Sequence, residues 1–88
     1  MNNIPKIYKL IHSYTFENES ILKKYKECVC LYCGKKMLDS DIKTWISDNN
    51  GKTAQCPYCS VDSIVPLKVD NEYTLTEEML KELYKIYF

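Results

Sequence analysis

Two short motifs carry the residues with the most distinctive chemistry: Cys30-Leu31-Tyr32-Cys33-Gly34, and Cys56-Pro57-Tyr58-Cys59, with residues 34–55 between the two cysteine pairs. A C-x-x-C turn points both sulfurs to one side. Two such turns facing each other place four thiolates at the corners of a tetrahedron, an arrangement that suits Zn²⁺, which has no d-electron preference for geometry. One Zn²⁺ per chain, held by Cys30, Cys33, Cys56 and Cys59, is the expectation. The residue after the second cysteine of such a knuckle commonly needs φ > 0, which Gly34 adopts without steric cost. Ser60 holds the matching place in the second knuckle and departs from that rule. Cys28 makes the local pattern C-x-C-x-x-C, and a one-residue spacing chelates poorly beside Cys30 and Cys33. It reads as a thiol near the site but outside the ligand set.

A closed set of four thiolates leaves no coordination position for water or substrate, so the metal is structural rather than catalytic. Nothing else in the chain compensates. His12 is the only histidine, no glycine-rich phosphate loop exists, and Asp62-Ser63 reads as local capping of backbone N–H groups at the second knuckle. A non-enzymatic protein is expected.

The elements that position the knuckles read as follows. Asn3-Ile4-Pro5 starts a helix with Asn3 as cap and Pro5 in the first turn, and Ile4, Ile7, Tyr8, Ile11 and Tyr14 form its apolar face. His12 lies beside that stripe. Asn18 caps a second helix through Ile21, Leu22 and Tyr25, with Lys23, Lys24 and Lys26 near its C-terminus. Between the knuckles, a short helix beginning at Asp39 or Ser40 carries Ile42, Trp45 and Ile46, turns Trp45 inward and ends at Asn49-Asn50-Gly51. Thr53-Ala54-Gln55 is a strand into the second knuckle and Ser63-Ile64-Val65-Pro66-Leu67 a strand out of it, placed by Pro66 at a sheet edge. The last helix is capped either at Thr74, with Glu77 closing a capping box, or at Thr76, which would staple Leu75 to Leu80. Met79, Leu80, Leu83, Tyr84, Tyr87 and Phe88 form its apolar stripe, expected to dock on the N-terminal helices. The fold class expected is a small α+β zinc-ribbon domain, two cysteine knuckles with a short β-hairpin flanked by helices. Residues 1–88 form one domain: N-terminal helices over 1–27, the ribbon over 28–69 and a C-terminal helix over 70–88.

Size and charge narrow the function. A chain of 88 residues buries too little surface for a robust core, and metal ligation supplies the missing folding free energy. No export signal or membrane span is read, and an odd number of cysteines in knuckles fits a reducing, cytoplasmic compartment. Twelve Lys balance twelve Asp and Glu, with no Arg. Phosphate and guanine recognition leans on Arg and on net positive charge, so nucleic-acid binding is not expected.

From residue 28 onward the chain resembles a family of small, uncharacterised bacterial cytoplasmic zinc-ribbon proteins. The resemblance is carried by Cys28-Val29-Cys30-Leu31-Tyr32-Cys33, Asp41-Ile42-Lys43-Thr44-Trp45, Thr53-Ala54-Gln55-Cys56-Pro57-Tyr58-Cys59 and Asp62-Ser63-Ile64-Val65. Val29 and Ser60 stand where that family usually has Gly. The resemblance implies zinc and the cytoplasm, and no reaction. C-x-x-C-G paired with C-P-x-C is also similar to rubredoxin, an iron electron carrier; Ser60 and the helix expected at Trp45 separate the two.

The function expected is therefore a protein-interaction module such as an adaptor, inhibitor or immunity protein, with a nucleic-acid-binding zinc-ribbon regulator and a rubredoxin-like carrier as alternatives. Eight Tyr among 88 residues exceed what one small core hides, and Tyr suits interfaces. Tyr32 and Tyr58 either flank the metal on a contact surface or shield its sulfurs. A foreign protein is the expected partner, with a homodimer through Tyr84, Tyr87 and Phe88 as the cheaper arrangement to exclude.

Overall fold

A three-stranded antiparallel sheet separates two hydrophobic clusters, and the alternation of side chains along its central strand explains why. The computed structural model describes residues 3–47 and 49–88. Strand β1 (Glu27–Cys30) lies between β2 (Lys36–Leu38) and β5 (Ile64–Pro66). Successive residues of a strand point to opposite faces. Val29 and its partner Val65 thus enter one cluster with Tyr8, Ile11, Leu80 and Leu83, while Cys28, Cys30 and Ile64 enter the other with Leu22, Met37, Ile42, Ala54 and Cys56. Pro66 lies on β5, at the edge of this sheet, where its missing N–H removes no ladder bond.

The helices cover the first cluster and close the second. Helix α1 (Lys6–Ser13) buries Tyr8 and Ile11, and α2 (Glu19–Tyr25) buries Leu22. The start of α1 differs from expectation. Pro5, with φ −54° and ψ 142°, is itself the extended N-cap residue, and its carbonyl accepts from the N–H groups of Tyr8 and Lys9. A proline also disfavours helical geometry in the residue before it, so Asn3 is left outside the helix.

Between the knuckles the expected helix is absent. A single 3₁₀ turn, Asp39–Asp41, leads to β3 (Thr44–Ser47), which pairs antiparallel with β4 (Lys52–Gln55) in the register Trp45 to Ala54. The Ile42, Trp45, Ile46 spacing fits a helix, but it is too short to outweigh β-branched Thr44 and Ile46 and a turn-forming Asn-Gly pair at residues 50 and 51. Trp45 does face inward, half-buried against the second cluster, with Lys23 Nζ 5.6 Å from its ring centroid. Ile46 points out and is exposed.

The two strands around the second knuckle are as expected but do not pair with each other: β4 joins β3 and β5 joins β1. A two-stranded ribbon, β6 (Lys68–Val69) with β7 (Tyr73–Thr74), leads to α3 (Glu77–Tyr87). The Thr76 register is the one adopted: its hydroxyl accepts from the Met79 N–H at 3.1 Å, and Leu75 and Leu80 both enter the first cluster. Helix α3 docks on α1 through a hydrogen bond from Tyr8 Oη to Glu82 at 2.6 Å and through Tyr87, whose ring stacks on His12 at 3.8 Å and 7°. The bond to Glu82, with burial and the nearby carboxylates added, holds the Tyr8 hydroxyl neutral, its pKa pushed up to about 12. Among the described residues no helix is long and apolar enough to cross a membrane.

Candidate metal centre

Each knuckle is built by the same three devices. Strand β1 ends at Cys30 and β4 ends one residue before Cys56, so in both cases a strand delivers the first cysteine to a turn. The Cys30 N–H donates to Lys35 O at 3.1 Å and the Gly34 N–H to Cys30 O at 2.9 Å; in the second knuckle Cys56 donates to Val61 O at 3.0 Å and Ser60 to Cys56 O at 2.9 Å. Backbone N–H groups then turn to the sulfurs, from Cys33 to Cys30 Sγ at 3.5 Å and from Tyr58 to Cys56 Sγ at 3.4 Å. The knuckles are tied together by the Leu31 N–H, which donates to Ser63 O at 2.8 Å.

This geometry settles the role of Ser60. Its φ is +71°, beside +76° for Gly34, so the second knuckle imposes the same left-handed turn on a residue with a Cβ. An L-residue there costs about 1–2 kcal/mol, partly offset by the greater unfolded-state entropy of glycine. Ser60→Gly is expected to raise stability by about 0.5–1 kcal/mol with metal stoichiometry unchanged, measured by thermal unfolding of the metal-loaded protein. A loss of stability would show that the serine side chain contributes more than its backbone strain costs.

The four sulfurs of Cys30, Cys33, Cys56 and Cys59 all lie within 4.8 Å of one another. Four sulfurs at about 2.3 Å from a shared ion, at tetrahedral corners, stand about 3.8 Å apart. The Cys30–Cys59 and Cys33–Cys56 separations are 3.6 Å and 3.8 Å. The cluster therefore fits a tetrahedral ion, with Cys30 and Cys56 buried, Cys59 half-buried and Cys33 exposed. Burial pushes the Cys30 thiol pKa well up, against the N–H groups of Cys33 and Tyr32. Cys56 is also penalised by burial, yet the N–H groups of Tyr58 and Cys59 outweigh that penalty and lower its pKa.

Compared with known proteins, the chain matches no family model, no curated sequence and no solved structure. The resemblance to zinc ribbons thus rests on its own residues.

Cys28 lies outside the cluster, as its spacing predicts. Its buried thiol donates to Lys26 O at 3.4 Å, and burial, with the charges of Asp39 and Asp41, pushes its pKa up to about 12. Among the described residues no side-chain hydrogen bond from Asp62 or Ser63 to the turn is found, and it is the Ser63 carbonyl, accepting from the Leu31 N–H, that joins the knuckles. Tyr58 is exposed at 57%, its ring 5.2 Å from Lys35 Nζ, and Tyr32 packs against Tyr84 and Phe88 of the C-terminal helix.

Asn18 is the functional-looking polar residue whose role differs from expectation. It stands at the N-cap position of α2 but its side chain makes no cap bond. Its amide donates to Tyr14 O and Ile64 O, both at 2.8 Å, and accepts from the Ala54 N–H at 3.0 Å, which ties both helices to strands on either side of the second knuckle. Nothing in the local sequence signals this, because there Asn18 has the position and residue type of an ordinary N-cap.

Proposed function

We propose that this chain is a non-catalytic zinc-ribbon protein that binds one Zn²⁺ through Cys30, Cys33, Cys56 and Cys59 and acts by contacting a protein partner in a reducing, cytoplasmic setting. The observation that carries the metal half is the four-sulfur cluster, whose short edges of 3.6 Å and 3.8 Å match those of a tetrathiolate ion. Four protein thiolates fill a tetrahedral ion, so the metal's contribution is to the fold. The interaction half is supported by aromatic surface: Tyr32, Tyr58, Tyr84 and Phe88 are all exposed in a chain with no net charge.

The rubredoxin-like reading gains from two observations. A hairpin, not a helix, separates the knuckles, and Ser60 adopts the φ of the glycine it replaces. Elemental analysis of protein purified without added metal decides between the ions. One zinc per chain and a colourless solution are expected; stoichiometric iron with visible thiolate-to-iron absorption would replace the zinc reading with the electron-carrier one. A tagged, zinc-loaded copy should then retain a defined protein from its own cell extract, and retention of nothing above an untagged control would remove the interaction half.

A further inference from the structure

Among the four cysteines of the metal centre, one differs from the rest in its access to solvent. Cys30 and Cys56 are 0% and 2% exposed, Cys59 is half-buried, and Cys33 is exposed. Cys33 also lines, with Gly34, a cleft of about 320 Å³ between the first knuckle and α3. A side-chain carbon placed on Gly34 would meet no atom beyond its chain neighbours within 4 Å, so the space next to the cysteine is open. The adjacent ring of Tyr32 is engaged with Tyr84 and Phe88, at 5.7 Å and 5.2 Å between centroids, and leaves Cys33 uncovered. Reaction of a cysteine with a small oxidant follows thiolate character and exposure. Every metal ligand is a thiolate, so exposure decides among the four.

A second sulfur stands within reach to complete such a reaction. Cys56 Sγ lies 3.8 Å from Cys33 Sγ, across the gap between the knuckles, as Cys30 Sγ lies 3.6 Å from Cys59 Sγ. A small side-chain movement takes the first pair to the about 2 Å of a sulfur–sulfur bond. Their approach is set by backbone: each knuckle closes through its own turn bonds, and the Leu31 N–H ties the two together at Ser63 O, 2.8 Å away. The partner sulfur is therefore in place whether or not the ion is.

We propose that Cys33 is the oxidation site of this centre: hydrogen peroxide reaches it through the cleft, oxidises it and leaves it joined to Cys56, which removes two of the four ligands and releases the zinc. The proposal rests on the reading of the four sulfurs as a zinc site. In the first step a lone pair of Cys33 Sγ attacks one peroxide oxygen and the O–O bond breaks. The sulfur keeps the attacked O–H group as a sulfenic acid, and the other leaves as hydroxide. In the second step the Cys56 thiolate attacks the Cys33 sulfur, the S–O bond breaks, a second hydroxide leaves and the disulfide forms. The two sulfurs lose two electrons; the peroxide gains them and, with two protons from solvent, becomes two waters. Cys30 and Cys59 are then too few to fill the ion. The disulfide spans the knuckles, so it keeps tied what the metal had tied, and thiol exchange reverses it. Zinc occupancy would thus follow the balance of peroxide and thiol around the protein.

The test treats the full, zinc-loaded chain with less than one equivalent of hydrogen peroxide and follows free zinc with a colorimetric indicator. Remaining thiols are alkylated in denaturant and the cysteines mapped by mass spectrometry. The expected first disulfide is Cys33–Cys56, with one zinc released per disulfide and zinc binding regained after a phosphine reductant and added zinc. A sulfenic-acid trap present during the reaction should mark Cys33. Cys33→His replaces the exposed sulfur by a nitrogen in a common structural ligand set, so it should hold one zinc and slow peroxide-driven release about tenfold or more. Should that variant not retain zinc, the order of oxidation in the wild-type chain decides alone. Trapping at any other cysteine, a first disulfide that does not join Cys33 to Cys56, zinc lost from Cys33→His as fast as from wild type, or zinc kept after Cys33 is oxidised would each overturn the proposal. The zinc reading beneath it fails separately, in elemental analysis of the untreated protein.

Discussion

Single replacement of Cys30 or Cys56 by Ser is expected to abolish stoichiometric metal binding and with it the cooperative thermal transition, whereas Cys28→Ser should keep both. The size of the effect follows from where the ligands sit. Cys30 ends the central strand of the main sheet and Cys56 follows β4, and both are fully packed into the second cluster. Structural zinc in small peptides contributes apparent ligation free energies of about 10–16 kcal/mol near neutral pH, more than the about 5–15 kcal/mol by which whole domains are stable. The elements the metal ties together have little else of their own: the longest helix is α3, and the sheets are of two or three short strands. Chelation should accordingly collapse near-native amide protection throughout the knuckles and β4. Ligands bind as thiolates, so lowering the pH should release the metal and destabilise the fold together. Cys28 differs because its thiol is kept protonated by burial and its sulfur bonds to Lys26 O; Ser in its place can make the same donation. Loss of metal in Cys28→Ser with retention in Cys30→Ser would reverse the ligand assignment, and a chelated protein that still melts cooperatively would show that the core suffices.

The parts of this structure that were legible in the sequence are those where chemistry fixes spacing. Two cysteine pairs must stand as C-x-x-C for their sulfurs to converge, and the structure brings those four sulfurs together and leaves Cys28 aside. Thr76 was one of two caps the sequence allowed, and the choice depended on Leu75 and Leu80 reaching the same cluster, a tertiary fact. The segment around Trp45 was misread because three apolar residues at helical spacing span barely one turn. The opposing signals, β-branching and an Asn-Gly pair, act only when β4 is present to pair with. The same error had lent weight against the rubredoxin-like reading. Least legible were contacts between distant parts of the chain. Nothing local announces that Tyr32 meets Tyr84 and Phe88, that Tyr87 lies on His12, or that the side chain at an apparent helix cap is spent elsewhere.

That spent side chain leads to the largest expected effect away from the metal: Asn18→Ala should destabilise the zinc-loaded protein by about 3 kcal/mol or more. Asn18 is 1% exposed and sits between α1 and α2, yet two of its three bonds reach 36 and 46 residues along the chain, to Ala54 on β4 and Ile64 on β5. Alanine would leave the Ile64 carbonyl and the Ala54 N–H buried without partners and the Tyr14 carbonyl half-buried without one, each orphaned buried group costing about 1–3 kcal/mol. Because β4 and β5 enter and leave the second knuckle, the damage should be local as well as global. Hydrogen exchange at the Ala54 N–H is expected to accelerate beyond the change in global stability. Metal stoichiometry should hold at saturating zinc, with weaker retention against a competing chelator, since a looser frame costs binding free energy. Asn18→Asp separates donation from acceptance: it keeps an acceptor for the Ala54 N–H but sets a carboxylate against two carbonyls, so it should be at least as destabilising as alanine. If Asn18→Ala melted within about 1 kcal/mol of wild type and Ala54 exchanged no faster, the three bonds would be replaceable by water. The second knuckle would then be held in place by its sulfurs alone.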